Sequence, residues 1–132
     1  MATTGACTDF GDLSDSGRTS LGALSSHTRA LFGTGGSPNS GTPQNNIDYV
    51  TIATTGSTAD FGDLFVNRTA GTGTSNKVRG IFVGGFITPS PSTTSNTIDY
   101  VTIASTGNTT DFGDAIKTDR SKAAVSDSHG GL

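Results

Sequence analysis

The apolar residues of this chain fall in short β-branched and aromatic runs, separated by Ser, Thr, Pro and Gly. Such runs predict strands rather than helices. The strongest is residues 97–103, in which Ile98 and Tyr100 lie on one face while Val101 and Ile103 lie mostly on the other. Apolar side chains on both faces predict a sheet that is covered on both sides.

Weaker apolar runs, and the Gly, Pro and Ser residues between them, predict the other elements. A third strand is expected to begin at Asp111, and a fourth, Ser- and Ala-rich strand is expected within residues 69–78. Two segments rich in Ser, Thr and Pro are predicted to be surface loops. The remaining strand is expected at residues 79–86, closed by Gly84-Gly85. The two loops are residues 37–46 and 87–96.

An internal repeat organises these elements. Residues 47–64 and 98–115 are identical at 14 of 18 positions, at an offset of 51. Residues 1–13 match residues 52–64 at nine of 13 positions and the same offset. Repeats of 20–50 residues indicate units that bury their faces against one another. Asp-Phe-Gly-Asp therefore occurs three times, starting at Asp9, Asp60 and Asp111, and Arg18, Arg68 and Arg120 occupy matching places.

The period divides the chain into about 2.6 units, which we interpret as a single repeat domain. It consists of a half unit at residues 1–26, complete units at residues 27–77 and 78–128, and a short tail at residues 129–132.

Composition explains how such units are built. The chain has 31% hydrophobic and 14% charged residues, with 23 Thr, 16 Ser and 19 Gly among its 132 residues. These values disfavour an amphipathic helical bundle, and no run approaches the ~18–20 apolar residues of a membrane helix. The net charge of −3, with scattered basic residues, disfavours a nucleic-acid surface. The single cysteine, Cys7, cannot form an intrachain disulfide.

The order of motifs resembles a known repeat. Ile81-Phe82-Val83-Gly84-Gly85, then Ile98-Asp99-Tyr100, then Arg68 or Arg120 follow the order of kelch repeats, whose period is about 50 residues. The usual Trp is absent, with Phe61 or Phe112 in its place. The string IDYVTIA…DFGD is similar to repeats that are abundant in proteins of marine bacteriophages, especially cyanophages. This resemblance implies an all-β fold of kelch-like β-propeller blades with antiparallel sheets.

The three Asp-Phe-Gly-Asp copies allow a functional or a structural interpretation. A kinase interpretation fails because that segment needs a Gly-rich loop, a paired Lys and a longer chain. A calcium site remains an alternative, since carboxylates three residues apart offer hard oxygen ligands. The structural interpretation has the phenylalanine filling the core between blades, the glycine bending the chain and the carboxylates capping turns. The calcium candidates are Asp9, Asp12, Asp60, Asp63, Asp111 and Asp114, and the structural residues are Phe10, Phe61, Phe112, Tyr49, Tyr100, Gly84 and Gly85.

No catalytic arrangement stands apart from the repeat pattern. His27 and His129 lie two periods apart, and a catalytic histidine is needed only once, with a positioned partner. Cys7 aligns with Thr58 and is interpreted as an incidental small residue. We therefore expect a protein that is not an enzyme and needs no cofactor.

Exposed blade faces predict partners. Closed propellers have about four to eight blades, so two copies with about 5.2 units or three with about 7.8 would suffice. We expect completion by oligomerisation and a non-enzymatic virion protein, tail- or capsid-associated, acting in assembly or host attachment. Its partners would be copies of itself, other virion proteins and a host surface glycan, without nucleic acid or membrane. The start Met1-Ala2-Thr3-Thr4 has no basic region followed by an apolar one, so we expect a virion protein made in the host cytoplasm without a signal peptide. The alternatives are a carbohydrate-binding propeller module and a bacterial surface or scaffold protein.

Overall fold

The computed structural model describes residues 5–14, 17–89 and 92–126. Within them every regular element is a strand, so the all-β prediction is confirmed. The described part has no helix that is long and apolar enough to cross a membrane. The strands are β1 Gly22–Ser25, β2 Arg29–Gly33, β3 Gln44–Thr51, β4 Ala59–Arg68, β5 Thr72–Ser75, β6 Arg79–Val83, β7 Phe86–Pro89, β8 Ser92–Thr94, β9 Thr97–Thr102 and β10 Thr110–Asp114.

Eight of these strands form two equivalent antiparallel sheets. Sheet 1 has the order β1-β2-β3-β4, and sheet 2 has the order β5-β6-β9-β10. Their registers match, because Phe32 pairs with Asp48 in sheet 1 and Phe82 pairs with Asp99 in sheet 2. One four-stranded sheet therefore corresponds to each period of the repeat, and each sheet begins a few residues before the predicted unit, because β1 precedes residue 27 and β5 precedes residue 78.

The segment between β6 and β9 differs from expectation. Residues 87–96 were predicted to be a surface loop, but they contribute to the hairpin of β7 and β8, and the run predicted over residues 79–86 breaks after Val83. Thr and Ile favour a ladder, and Pro89 is tolerated because it ends its strand. The equivalent segment of sheet 1, predicted as a loop over residues 37–46, is a loop only as far as Pro43, which forms an isolated bridge with Gly36, because β3 already begins at Gln44.

Asp-Phe-Gly-Asp forms a β-bulge in both sheets. In sheet 1, Ile47 and Asp48 pair with Gly62 and Asp60, so Phe61 is left without a partner in the ladder. The same irregularity leaves out Phe112 in sheet 2. A bulge bends the strand and redirects a side chain. The repeat motif therefore turns its phenylalanine out of the regular ladder.

One hydrophobic core extends through both sheets. Sheet 1 contributes five buried side chains and sheet 2 contributes three. Burial of such side chains stabilises the fold by about 1.5–3 kcal/mol each. Because the cluster crosses from one sheet to the other, the two sheets depend on each other for burial. Its members are Leu24, Leu31, Ile47, Phe61 and Leu64 of sheet 1, and Phe82, Val101 and Ile103 of sheet 2.

Candidate functional site

The contact between the two sheets, which we call the internal junction, combines backbone hydrogen bonds, a close glycine contact and a buried ion pair. Its backbone part joins β4 to the turn before β10. Gly107 N donates to Phe61 O at 2.7 Å, and Thr109 N donates to Asp63 O at 2.8 Å. Phe65 N donates to Thr109 Oγ1 at 2.7 Å. These bonds hold the outer strand of one sheet against the next sheet.

Gly62 makes this close approach possible. Its φ is +141°, and a Cβ built on it would lie 2.5 Å from the carbonyl carbon of Gly107. Asp60 Oδ1 accepts a hydrogen bond from Gly62 N at 3.2 Å and fixes the bulge. Only glycine combines that backbone conformation with that contact.

A buried ion pair crosses the internal junction. Arg68, at the end of β4, donates from Nη2 to Asp99 Oδ2 of β9 at 2.8 Å, and neither side chain is exposed to solvent. Arg68 Nη2 also reaches Phe82 O at 3.3 Å. Asp99 Oδ2 accepts further hydrogen bonds from Phe65 N and Thr109 Oγ1, each at 3.3 Å. The pair thus links both sheets and the connecting turn.

Burial dominates the electrostatics of this pair. Loss of solvent raises the pKa of Asp99, and the charge of Arg68 and the hydrogen bonds from Phe65 and Thr109 offset this only in part. Burial likewise lowers the pKa of Arg68 below its usual range, although the guanidinium remains protonated. Within the described residues, Asp99 Oδ1 and Arg68 Nε make no hydrogen bond. Removing either partner would leave the other charge buried and unpaired.

The N-terminal segment makes the same contacts on sheet 1. Residues 8–14, which we call the N-terminal strap, lie on the turn before β4. Gly56 N donates to Phe10 O and Thr58 N donates to Asp12 O, both at 2.8 Å. Ser14 N donates to Thr58 Oγ1 at 2.7 Å, as Phe65 N does to Thr109. The half unit therefore makes the contacts of a complete β4.

A second buried ion pair accompanies the strap. Arg18 Nη2 donates to Asp48 Oδ2 at 2.7 Å, and both side chains are almost fully buried. Ser14 Oγ donates to the same carboxylate at 2.8 Å. Arg18 and Asp48 lie one period before Arg68 and Asp99. Sequence reasoning aligned the arginines but missed their partners, although the Asp between Ile and Tyr in both copies was the available signal.

The predicted structural residues have different surroundings. Phe61 is 2% exposed between the sheets, whereas Phe10 is 38% and Phe112 is 56% exposed. Tyr49 and Tyr100 each meet a bulge phenylalanine edge to face, at 5.8 and 6.1 Å between ring centroids. Gly84 and Gly85 have φ values of +63° and +115°, and Gly85 N donates to Asp119 O at 2.9 Å.

The calcium candidates take part in local hydrogen bonds. Asp9, Asp60 and Asp111 each accept a hydrogen bond from the backbone N–H of the glycine two residues later, at 2.9–3.2 Å. The second aspartate of the central motif, Asp63, accepts from Thr109 N through its carbonyl. Over residues 5–14, 17–89 and 92–126 no three His, Cys, Asp or Glu side chains come together to hold a metal ion.

The remaining candidates lie on the surface. His27 is exposed in the turn between β1 and β2, and Cys7 is exposed near the N-terminal strap. His129 lies outside the described residues.

Comparison with protein-family models finds no match, and neither does comparison with curated proteins. The sheet-to-sheet contact, repeated at the N-terminal strap, is therefore the feature from which function must be argued.

Proposed function

We propose that this chain is a non-enzymatic structural protein of a phage virion, associated with the tail or capsid, where it acts in assembly or host attachment. The observation that carries the assembly role is the repetition of one junction. The same backbone bonds, the same glycine contact and the same buried Arg–Asp pair occur between sheets 1 and 2 and between the N-terminal strap and sheet 1. Residues that recur in every unit serve to attach one unit to the next.

The strand arrangement supports kelch-like β-propeller blades as the finer description of these sheets. Each unit is a four-stranded antiparallel sheet in chain order, apart from the hairpin inserted in sheet 2. The first strands of the two sheets meet, because Ser75 Oγ donates to Ser25 O at 2.5 Å. Propeller blades likewise place their first strands together around a central axis. Copies of the chain, and other virion proteins, would complete the arrangement.

The virion assignment rests on the resemblance of the IDYVTIA…DFGD string to repeats of marine phage proteins. Its test is mass spectrometry of gradient-purified particles from cells infected with a phage that encodes this chain. We expect peptides of the chain to co-purify with particles in a fixed ratio to the major capsid protein, and a non-structural phage protein to be lost. Abundant chain in the lysate with none in the particles would refute the virion assignment.

A carbohydrate-binding module is the alternative, and one cleft favours it. Phe112 is exposed beside Thr74, Asn76 and Arg79, and an aromatic face with polar neighbours suits a sugar ring. Sheet 1 buries its equivalent phenylalanine, Phe61, against protein. We therefore favour a protein partner at this cleft, and saturable binding on a glycan array that Phe112→Ala abolishes would favour the lectin instead.

A further inference from the structure

Each sheet has an outer face that is equivalent, through the repeat, to one side of the internal junction. On sheet 2, the surface formed by Ile81, Phe112 and Gly113, which we call the tail face, corresponds to the sheet 1 side of the junction. On sheet 1, the surface formed by Phe32, Val50, Ile52 and Thr58, which we call the head face, matches the sheet 2 side. In the internal junction these two kinds of face contact each other, so the partner expected for either face is the other face on a second copy of the chain.

Among residues 5–14, 17–89 and 92–126, the tail face is bordered by Val125 and stays partly exposed. Phe112 is 56% exposed, although its counterpart Phe61 is 2% exposed. Gly113 has a φ of +134°, close to that of Gly62, yet a Cβ built on it meets none of the described residues within 4 Å. Asp119, whose N donates to Ser95 O, lies where Arg68 pairs with Gln44 in sheet 1, and Arg120 lies over the ring of Phe86 at 5.5 Å.

The head face is covered only in part. Ile52 is 45% exposed, although its counterpart Ile103 is 1% exposed. Phe32 and Val50 are likewise less buried than their counterparts, which are 0% and 3% exposed in sheet 2. The N-terminal strap borders these residues through Phe10, which is itself 38% exposed. The short N-terminal strap, which belongs to neither sheet, thus covers sheet 1 where sheet 2 has the whole of sheet 1 against it.

The strap and β10 have the same sequence. Residues 8–12 read Thr-Asp-Phe-Gly-Asp, and β10, Thr110–Asp114, reads the same. The strap uses this sequence to accept hydrogen bonds from Gly56 and Thr58 of the head face. Since β10 has the same residues and the same bulge, it can accept those bonds in the strap's place.

We propose that two copies of this chain join head to tail by exchange of the N-terminal strap: β10 of one copy replaces residues 8–14 on the head face of the next, while Arg18 of that next copy stays paired with its own Asp48. The backbone hydrogen bonds that Gly56 and Thr58 donate to the strap are replaced by equivalent ones to β10, whereas the bond from Ser14 Oγ to Asp48 is lost, because Ile116 stands at the matching position. In addition, sheet 2 brings Ile81 and Phe112 against Ile52, which the strap leaves half exposed. The extra apolar burial drives the exchange.

This contact joins two different surfaces, so it is heterologous and builds a ring or an open filament. The inference specifies how the chain would assemble and rests on the assembly role proposed above. It does not depend on the virion assignment, because it concerns purified chain alone.

Three equivalent glycines provide the test. In Gly11→Ala the new methyl would overlap Gly56, which displaces the strap from the head face. In Gly113→Ala the new methyl meets no described residue of the single chain but would overlap the head face of a docked copy. Both glycines have φ between +134° and +144°, so the two substitutions strain the backbone alike. Gly41→Ala, with φ of +64° and open space, is the control for strain alone.

Sedimentation velocity of the full chain over a concentration series measures the effect. We expect Gly11→Ala to raise the self-association constant at least tenfold over the unsubstituted chain, and Gly113→Ala added to it to reverse the gain. Phe112→Ala in the Gly11→Ala chain should also weaken association, while Gly41→Ala should not alter it. A circular dichroism melt confirms that each variant is folded.

The orientation is tested by mixing. Folded Gly11→Ala chain should form limited complexes with the Gly11→Ala/Gly113→Ala chain, because the latter keeps an open head face and loses its tail face. A folded Gly11→Ala chain that stays monomeric at all concentrations would overturn the inference, as would association that is insensitive to Gly113→Ala. Neither outcome would bear on whether the chain occurs in virions, which the particle experiment decides separately.

Discussion

Phe61 at the internal junction and Phe112 at the tail face belong to the same motif, but one is buried and the other is exposed. Both are the unpaired residue of a bulge, and both meet a tyrosine edge to face, at interplanar angles of 78° and 81°. Yet Phe61 is 2% and Phe112 is 56% exposed. The motif therefore fixes the local shape of the strand, while a neighbouring unit decides whether the side chain becomes core.

Gly62 and Arg68 touch the other sheet, the glycine by close backbone contact and the arginine by a buried ion pair. Gly113 meets none of the described residues in this way, and Arg120 is exposed. In repeat proteins stability is approximately the sum of unit terms and nearest-neighbour interface terms. Matched substitutions at the two ends should therefore separate the interface term from the unit term.

The largest difference is expected at the arginines. Arg68→Met leaves the buried carboxylate of Asp99 unpaired and should lower the free energy of unfolding by about 3–5 kcal/mol. Arg120→Met, at an exposed position, should change it by no more than about 0.5 kcal/mol. Urea unfolding followed by circular dichroism measures both under conditions in which the chain is monomeric.

The Arg68 effect has its own control. If the loss comes from the uncompensated charge, then Arg68→Met combined with Asp99→Leu should recover most of it. A double variant that is no more stable than Arg68→Met alone would mean that the guanidinium acts through its bonds to backbone carbonyls instead.

The phenylalanines should follow. Phe61→Ala opens a cavity in the core between the sheets and should cost about 3–5 kcal/mol. Phe112→Ala removes a half-exposed ring and should cost about 1 kcal/mol or less, because it loses mainly the contact with Tyr100. Thermal and urea unfolding of the two variants give the difference directly. Equal losses would show that the ring acts within its own sheet and not across the internal junction.

The sequence alone predicted the strands well where they repeat. Two copies of Ile-Asp-Tyr and three of Asp-Phe-Gly-Asp located β3, β9, β4 and β10, because the 51-residue period tied a weak pattern to a second example. The β7–β8 hairpin was missed because its Thr-rich residues have no equivalent ladder in the first unit. Pro and Ser favour loops in general, and only pairing across the hairpin overrides that preference.

The site was predictable only in part, for a physical reason. The arginines were aligned, and the aspartates stood within an apolar run in both copies, but nothing local says that two residues 30 or 31 positions apart meet in the core. Likewise Phe10, Phe61 and Phe112 have nearly identical neighbours in sequence. Their burial depends on the adjacent unit, so local pattern cannot distinguish them.

A smaller difference is expected at a second pair of arginines. Arg29 and Arg79 each lie over a tyrosine ring, at 4.7 and 4.5 Å from its centroid. Arg29 also donates from Nη1 to Ile103 O across the internal junction at 2.9 Å. Arg79→Ala should cost about 0.5–1 kcal/mol for the cation–π contact, and Arg29→Ala about 1.5 kcal/mol more for the charged hydrogen bond. Urea midpoints measured side by side test this, and an Arg79→Ala loss equal to that of Arg29→Ala would remove the junction bond from the account.

The smallest effect concerns pH at the internal junction. Burial raises the pKa of Asp99 above its ordinary value of 3.8. Between the pKa of the unfolded carboxyl and that of the folded one, the folded chain therefore binds more protons. The contribution of this group to stability is present below the unfolded pKa and is lost as pH rises through the folded pKa. We expect the stability of the unsubstituted chain, relative to Asp99→Asn, to fall as pH rises through that window. Carbon-13 NMR of the Asp99 carboxyl should show a midpoint above 3.8, and a higher one in Arg68→Met, because the guanidinium charge lowers this pKa. A midpoint below 3.8 would mean that attraction by Arg68 outweighs the effect of burial on the pKa of Asp99 at the internal junction.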